Sequence, residues 1–207
     1  MTLHDPTHLY KGEVGPTAAK WARAISVITH PPFLSAFMFI LLSLTGPDVL
    51  TIVLTAAVCI LTATIVPTVA VFHYSKVFGN TDGDVYRRED RVKPLAIGIA
   101  SYIVGVILLV VVGAPRVCTV MMVSYAVSTV IVLLISTRWK ISIHATGVMG
   151  PAMALSYVYP PWGYLMYLLM PITAWSRYVR HKHTPAQLIG GFVYGFAITG
   201  VFLYIVL

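Results

Sequence analysis

Apolar runs of nearly membrane length alternate along this chain with short polar or Gly/Pro-rich breaks. Seven stretches, 24–46, 50–72, 95–113, 117–137, 142–159, 162–177 and 185–207, approach the roughly 20 residues that a helix needs to cross a bilayer. They predict an all-α, polytopic membrane helix bundle of six or seven transmembrane helices, folded as one integral membrane domain over residues 1–207. Residues 1–23 form a polar, interfacial N-terminal segment in this scheme, without the basic, apolar and small-residue blocks of a signal peptide. The prolines of "THPPF" break or kink the first run, so the chain up to about His30 is expected to lie along the interface. Tight turns at "LTGPD", "VGAPR" and "YPPWG" close the spans on one side.

On the other side the connections are polar: 73–94, 138–143 and 178–184. Two crossings separate each of these segments from the next, so all three and the N-terminus emerge on one membrane face. Of the fourteen Lys and Arg residues, thirteen fall on that face and only Arg116 on the other. Six of them, Arg87, Arg88, Arg91, Lys93, Lys140 and Arg177, are candidates for a site. Without these the ratio is still seven to one, which predicts a cytoplasmic location for that face. Composition agrees with the pattern: 58% of positions are hydrophobic and only 10% charged, outside the range of soluble globular domains. The net charge of +7 therefore reads as positive-inside topology and not as nucleic-acid binding. Cys59 and Cys118 both sit in apolar runs and read as small core hydrophobes.

The chemistry concentrates in "SRYVRHKHTPAQLIGG". Thr184 is a good N-cap, Pro185 suits the first helical position, and Gln187 stands three residues after the cap, where its amide can close a capping box. His183 thus immediately precedes a helix N-terminus, whose free N–H groups and dipole favour an anion. Arg177 ends the preceding helix, and a short turn brings its guanidinium fork back toward the same spot, suited to two parallel hydrogen bonds with a phosphate. Arg180, His181 and Lys182 read as interfacial loop cations. A His181/His183 metal pair lacks the third and fourth ligands that zinc requires, since no carboxylate or Cys lies near.

This segment resembles the third signature of the type 2 phosphatidic acid phosphatase superfamily, SRxxxxxHxxxD, through Ser176, Arg177 and His183, with Gln187 replacing the Asp. Branches similar to dolichyl diphosphatases and glucose-6-phosphatases share the HxxxQ form. "KISIHATG" resembles the second signature, PSGH, through Ser142 and His144, with Ile141 and Ile143 replacing Pro and Gly and Lys140 adding a cation. Ser142 also reads as an N-cap. The first signature, KxxxxxxRP, is matched only by Lys93-Pro94 in "YRREDRVKPLAIG": Tyr86 stands where the Lys belongs, and Arg87 misses the register by one. Arg88, Arg91 and Lys93 are the cations expected from that cluster.

The resemblance implies a metal-independent phosphatase without cofactor. His183 would be the nucleophile, Gln187 would orient its far ring nitrogen, and His144 would protonate the leaving group. Arg177, Lys93, Arg91, Arg88, Lys140 and Ser142 would bind phosphate. Imidazole suits both histidine roles because its pKa lies near neutrality. A site at the membrane face implies a lipid or polyprenyl phosphate substrate, with its tail left in the bilayer. Two other readings compete. "GNTDGDVYRRED" resembles the Asp-rich loop of Mg-dependent membrane prenyltransferases through Asn80, Asp82, Asp84 and Asp90, and a phosphatidyl transferase would need a similar metal site. No Asp or Glu follows Asp90, however, so a second set of hard oxygen ligands is missing. The third reading is a non-enzymatic transporter or channel subunit whose basic cluster attracts anionic headgroups.

Overall fold

The computed structural model describes residues 14–78, 85 and 89–207, and the described residues are helical throughout with no strand. Arg88, one of the expected phosphate ligands, and the acidic stretch around Asp82 and Asp84 lie outside the described residues.

Helix α1 (Pro16–Ile28) starts with Pro at its first position and ends at Thr29; α2 (Pro31–Ser43) restarts after His30. A proline cannot continue the hydrogen-bond ladder, and the two helices meet at a 44° bend. The expected first span at 24–46 is therefore broken near its beginning. A longer rod follows, made of α3 (Val49–Cys59), a π-helical turn at Ile60–Ile65 and α4 (Val66–Val77). Its start is capped by Asp48, which accepts hydrogen bonds from the Thr51 amide at 3.0 Å and the Thr51 hydroxyl at 2.7 Å. The π turn loosens the backbone ladder, and the released carbonyls find partners on neighbouring helices. Ser35 Oγ donates to the Ala63 carbonyl at 3.0 Å and Ser101 Oγ to the Thr62 carbonyl at 2.7 Å.

After a 3₁₀ turn at Glu89–Arg91 come α5 (Val92–Val111), α6 (Arg116–Ser136), α7 (Ile143–Val158), a 3₁₀ segment at Trp162–Leu168, α8 (Leu169–Val179) and α9 (Pro185–Val201), which runs on into a π turn at Phe202–Val206. Among the described residues, four helical stretches are long and apolar enough to cross a membrane: Val49–Val77, Val92–Val111, Arg116–Ser136 and Pro185–Val206. The bent α1/α2 pair would make a fifth. At most 33% of the apolar window of any of the four is buried inside the protein, so most of their hydrophobic surface faces outward, as lipid contact requires. The expected count of six or seven is not reached on length. The 142–159 run holds only the 16 residues of α7, and the 162–177 run is split between the 3₁₀ segment and α8.

Shortness in α7 goes with centrality. Ten of its residues are buried, Pro151 sits inside it, and α9 packs along it through glycines one turn apart. A Cβ on Gly191 would come within 2.7 Å of the Ser142 carbonyl and one on Gly195 within 2.8 Å of the Thr146 carbonyl, so larger residues would force the helices apart. The core beneath is formed by Met38, Phe39, Leu42, Met121, Met122 and Met149 together with Cys59 and Cys118, which are free thiols.

Candidate active site

The polar connections meet at one end of the bundle. Arg91 Nη1 donates to the Ile141 carbonyl at 3.2 Å, the Ser142 amide to the Gln187 carbonyl at 3.3 Å, and Arg177 Nη1 to Ser26 Oγ at 2.7 Å. Segments distant in the chain are thus bonded to one another around a cavity of about 170 Å³, whose lining includes His30, Arg91, His144, Arg177 and His183. All except the half-buried His30 are buried, with His183 2% and Arg177 3% exposed.

The turn that presents His183 is built by the backbone. The His181 amide donates to the Tyr178 carbonyl at 2.9 Å and the Lys182 amide to the Arg177 carbonyl at 3.0 Å, the paired bonds of a Schellman ending to α8. His181 takes the left-handed position at φ 54°, a place usually held by Gly. Three residues later Thr184 caps α9: its Oγ1 accepts from the Gln187 amide at 3.2 Å, and Gln187 Oε1 accepts from the Thr184 amide at 3.2 Å. The capping box is closed, yet the same Gln187 oxygen also lies 3.1 Å from His183 Nδ1. Because a backbone N–H already identifies that atom as the acceptor oxygen, Nδ1 must carry the proton. Neutral His183 therefore keeps its lone pair on Nε2.

His183 is also held neutral. Burial lowers its pKa well below the usual imidazole value, and the charges of Arg177, Arg91 and Lys140 lower it further, against a smaller opposing effect of the Gln187 hydrogen bond. His144, on the first turn of α7, points Nε2 at the Ser26 carbonyl, 3.3 Å away. A carbonyl only accepts, so Nε2 is the protonated nitrogen and Nδ1 is left to exchange a proton. The His30 ring stands edge-on to His144 with centroids 5.3 Å apart.

The remaining predicted ligands are placed differently. Ser142 is fully buried and its Oγ accepts from the Ala145 amide at 3.3 Å, so it caps α7 and does not line the cavity. Lys140 does not line it either, although its charge reaches His183. Lys93 is exposed, with Nζ 5.9 Å above the Tyr74 ring. Helical periodicity separates it from Arg91: residues 91, 94, 95, 98 and 102 form one stripe along the cavity, and 93 falls off it. Two contributors, Ser26 and His30, were not among the predicted residues. The available signal was the "THPPF" break itself, which puts a histidine between two helices on the face where the other polar groups gather. Among the described residues, no three His, Cys, Asp or Glu side chains converge as a metal-ligand set. No known family model, curated protein or solved structure matches the chain.

Proposed function

We propose that the protein is a metal-independent phosphatase of lipid or isoprenoid phosphates that works through a phosphohistidine. The observation that carries this reading is the Gln187 oxygen shared between the Thr184 amide and His183 Nδ1, which leaves a neutral Nε2 lone pair in a buried cavity beside Arg177 and Arg91. Nε2 attacks phosphorus, the bond from phosphorus to the leaving oxygen breaks, and a proton that the monoanionic substrate phosphate has given to His144 Nδ1 passes to that oxygen. Water then attacks the phosphohistidine with neutral His144 Nδ1 taking its proton, phosphate leaves with that proton, and both imidazoles return to their starting neutral forms. Arg177 and Arg91 offset charge on the equatorial oxygens, the larger part of the work in phosphoryl transfer.

A lipid tail fits the rest of the cavity. From Arg91 to Tyr102, both on its wall, eleven residues of near-helical rise cover about 16 Å, half of a hydrocarbon core about 30 Å thick. The wall along this length is mainly apolar, including Pro67, Val71, Leu95, Val132 and Ile198. In this reading α2, α7 and the 3₁₀ segment with α8 also cross, as short helices surrounded by longer ones, giving seven passes with the site on the cytoplasmic face. The test is phosphate release from a panel of lipid phosphates in excess chelator. Wild type should release phosphate and His183→Ala should not; activity that disappears in chelator would instead indicate the Mg-dependent transferase.

A further inference from the structure

Ser26 stands between two hollows. On its inner side is the cavity that Arg177 and His144 line; on its outer side is a wider, open hollow between α1 and the turn from α8 to α9. The outer hollow is lined by Lys20, Arg23, Arg180, His181 and Lys182, with small apolar residues between them and no carboxylate among its described lining residues. One atom joins the two hollows. Ser26 Oγ accepts from Arg177 Nη1 at 2.7 Å and from Arg180 Nη1 at 2.6 Å, while the Ser26 carbonyl faces His144. Helix α1 is further clasped to α8 by Ser176 Oγ, which donates to the Ala22 carbonyl at 2.7 Å.

The outside of α1 shows what kind of ligand the outer hollow faces. Trp21 and Ile28 do not line the hollow, but on another face of the same helix they are 61% and 66% exposed, Trp21 standing between Lys20 and Arg23 in the chain. A helix with apolar side chains next to cationic ones, at the end of a bundle of membrane-length helices, has the composition of one lying in the headgroup layer. A freely dissolved ion would make no use of Trp21 and Ile28. We propose that the outer hollow binds the phosphate of an anionic phospholipid headgroup and that Ser26 relays its occupancy to Arg177. A phosphate bonded to Arg180 draws that guanidinium from the shared oxygen. Ser26 then serves Arg177 alone and holds it more firmly in the inner cavity. This second clause rests on the phosphatase reading, whereas the headgroup site does not.

The experiment uses the full-length protein in detergent micelles with phosphatidylglycerol or phosphatidylcholine as probe, bound lipid being counted by native mass spectrometry. Wild type should retain phosphatidylglycerol and not phosphatidylcholine. At roughly 1 kcal/mol for each cation near an anionic surface, the double substitution Lys20→Gln/Arg23→Gln should raise the half-saturating concentration on the order of 30-fold. Equal retention of the two lipids, an unchanged double variant, or displacement of phosphatidylglycerol by millimolar orthophosphate overturns the headgroup site. For the relay, phosphatidylglycerol should lower KM for a lipid phosphate severalfold in wild type. Ser26→Ala should keep the lipid but lose that effect. A wild-type KM indifferent to phosphatidylglycerol overturns the relay, and so does a protein that releases no phosphate; lipid retention decides the headgroup site in either case.

Discussion

Replacing Gln187 by Ala tests the tautomer argument directly. The substitution removes one oxygen that accepts from His183 Nδ1 at 3.1 Å and from the Thr184 amide at 3.2 Å. The first loss frees the imidazole to move its proton to Nε2, the position that must be unprotonated to attack. A neutral hydrogen bond contributes about 0.5–1.5 kcal/mol, so the productive tautomer should fall about 2- to 12-fold in population and the rate of phosphoenzyme formation with it. The second loss opens half of the capping box and should lower stability by about 1 kcal/mol. Removing the proposed nucleophile in His183→Ala should act on a different scale, several orders of magnitude in kcat. Single-turnover phosphate release, with phosphohistidine trapped at alkaline pH, separates these effects. Gln187→Glu supplies a control, because a carboxylate can accept from both donors and should preserve the trapped intermediate. Equal losses in Gln187→Ala and His183→Ala would refute the reasoning, as would a Gln187→Glu variant no better than Gln187→Ala.

Two further substitutions test the frame that holds the site. Gly195→Val puts a branched side chain where even a Cβ meets the Thr146 carbonyl at 2.8 Å and Met149 Cβ at 2.9 Å; overpacking of this kind costs about 1–3 kcal/mol. It should lower the thermal midpoint and reduce turnover, since α7 and α9 carry His144 and the cap after His183; an unchanged midpoint would contradict the close packing. At position 181 the left-handed backbone predicts a stability order of Gly at least equal to His, with Val lowest by about 1–2 kcal/mol, which thermal melts of the three proteins in one detergent can rank.

The sequence makes the ends of helices more legible than their interiors. Thr184, Pro185, Gln187 and Ser142 are local signals, because a cap is a contact over three residues, and each performs its capping role in the structure. The convergence of the polar loops follows from counting crossings and needs no side-chain detail. What escapes this reasoning depends on packing between distant segments. Pro67 is the local signal for the π turn at Ile60–Ile65, since it has no N–H to donate to the Ala63 or Thr62 carbonyl, but the partners that take up those carbonyls, Ser35 and Ser101, lie on other helices. Similarly, Lys93 and Arg91 are equivalent as charges, and only the helix phase, fixed by how α5 leans on the cavity, turns one inward and the other outward. Gln187 illustrates a further limit: that its capping and His-orienting roles are met by one oxygen, with lone pairs enough for both donors, is visible only once the turn is folded.

Arg177 and Arg91 line the cavity beside His183, and together with Lys140 they make the potential at its imidazole positive; burial first, and then these charges, hold its pKa well below the usual imidazole value. Such a field attracts a phosphate and opposes a divalent cation at the same place, which weighs against the Mg-dependent transferase and for the anion site. It also has a consequence for stability. An unfolded chain takes up a proton at His183 near pH 6.5, whereas the folded protein does so only at lower pH. The unfolded state therefore binds more protons in between, and stability falls as pH drops below about 6.5 until the folded pKa is reached. Replacing His183 by Gln removes this titration, so wild type should lose more thermal stability between pH 7 and pH 5 than His183→Gln does. If the two proteins gave parallel pH curves, His183 would not be held neutral by its surroundings, and the neutral Nε2 that the phosphate site requires would be lost with it.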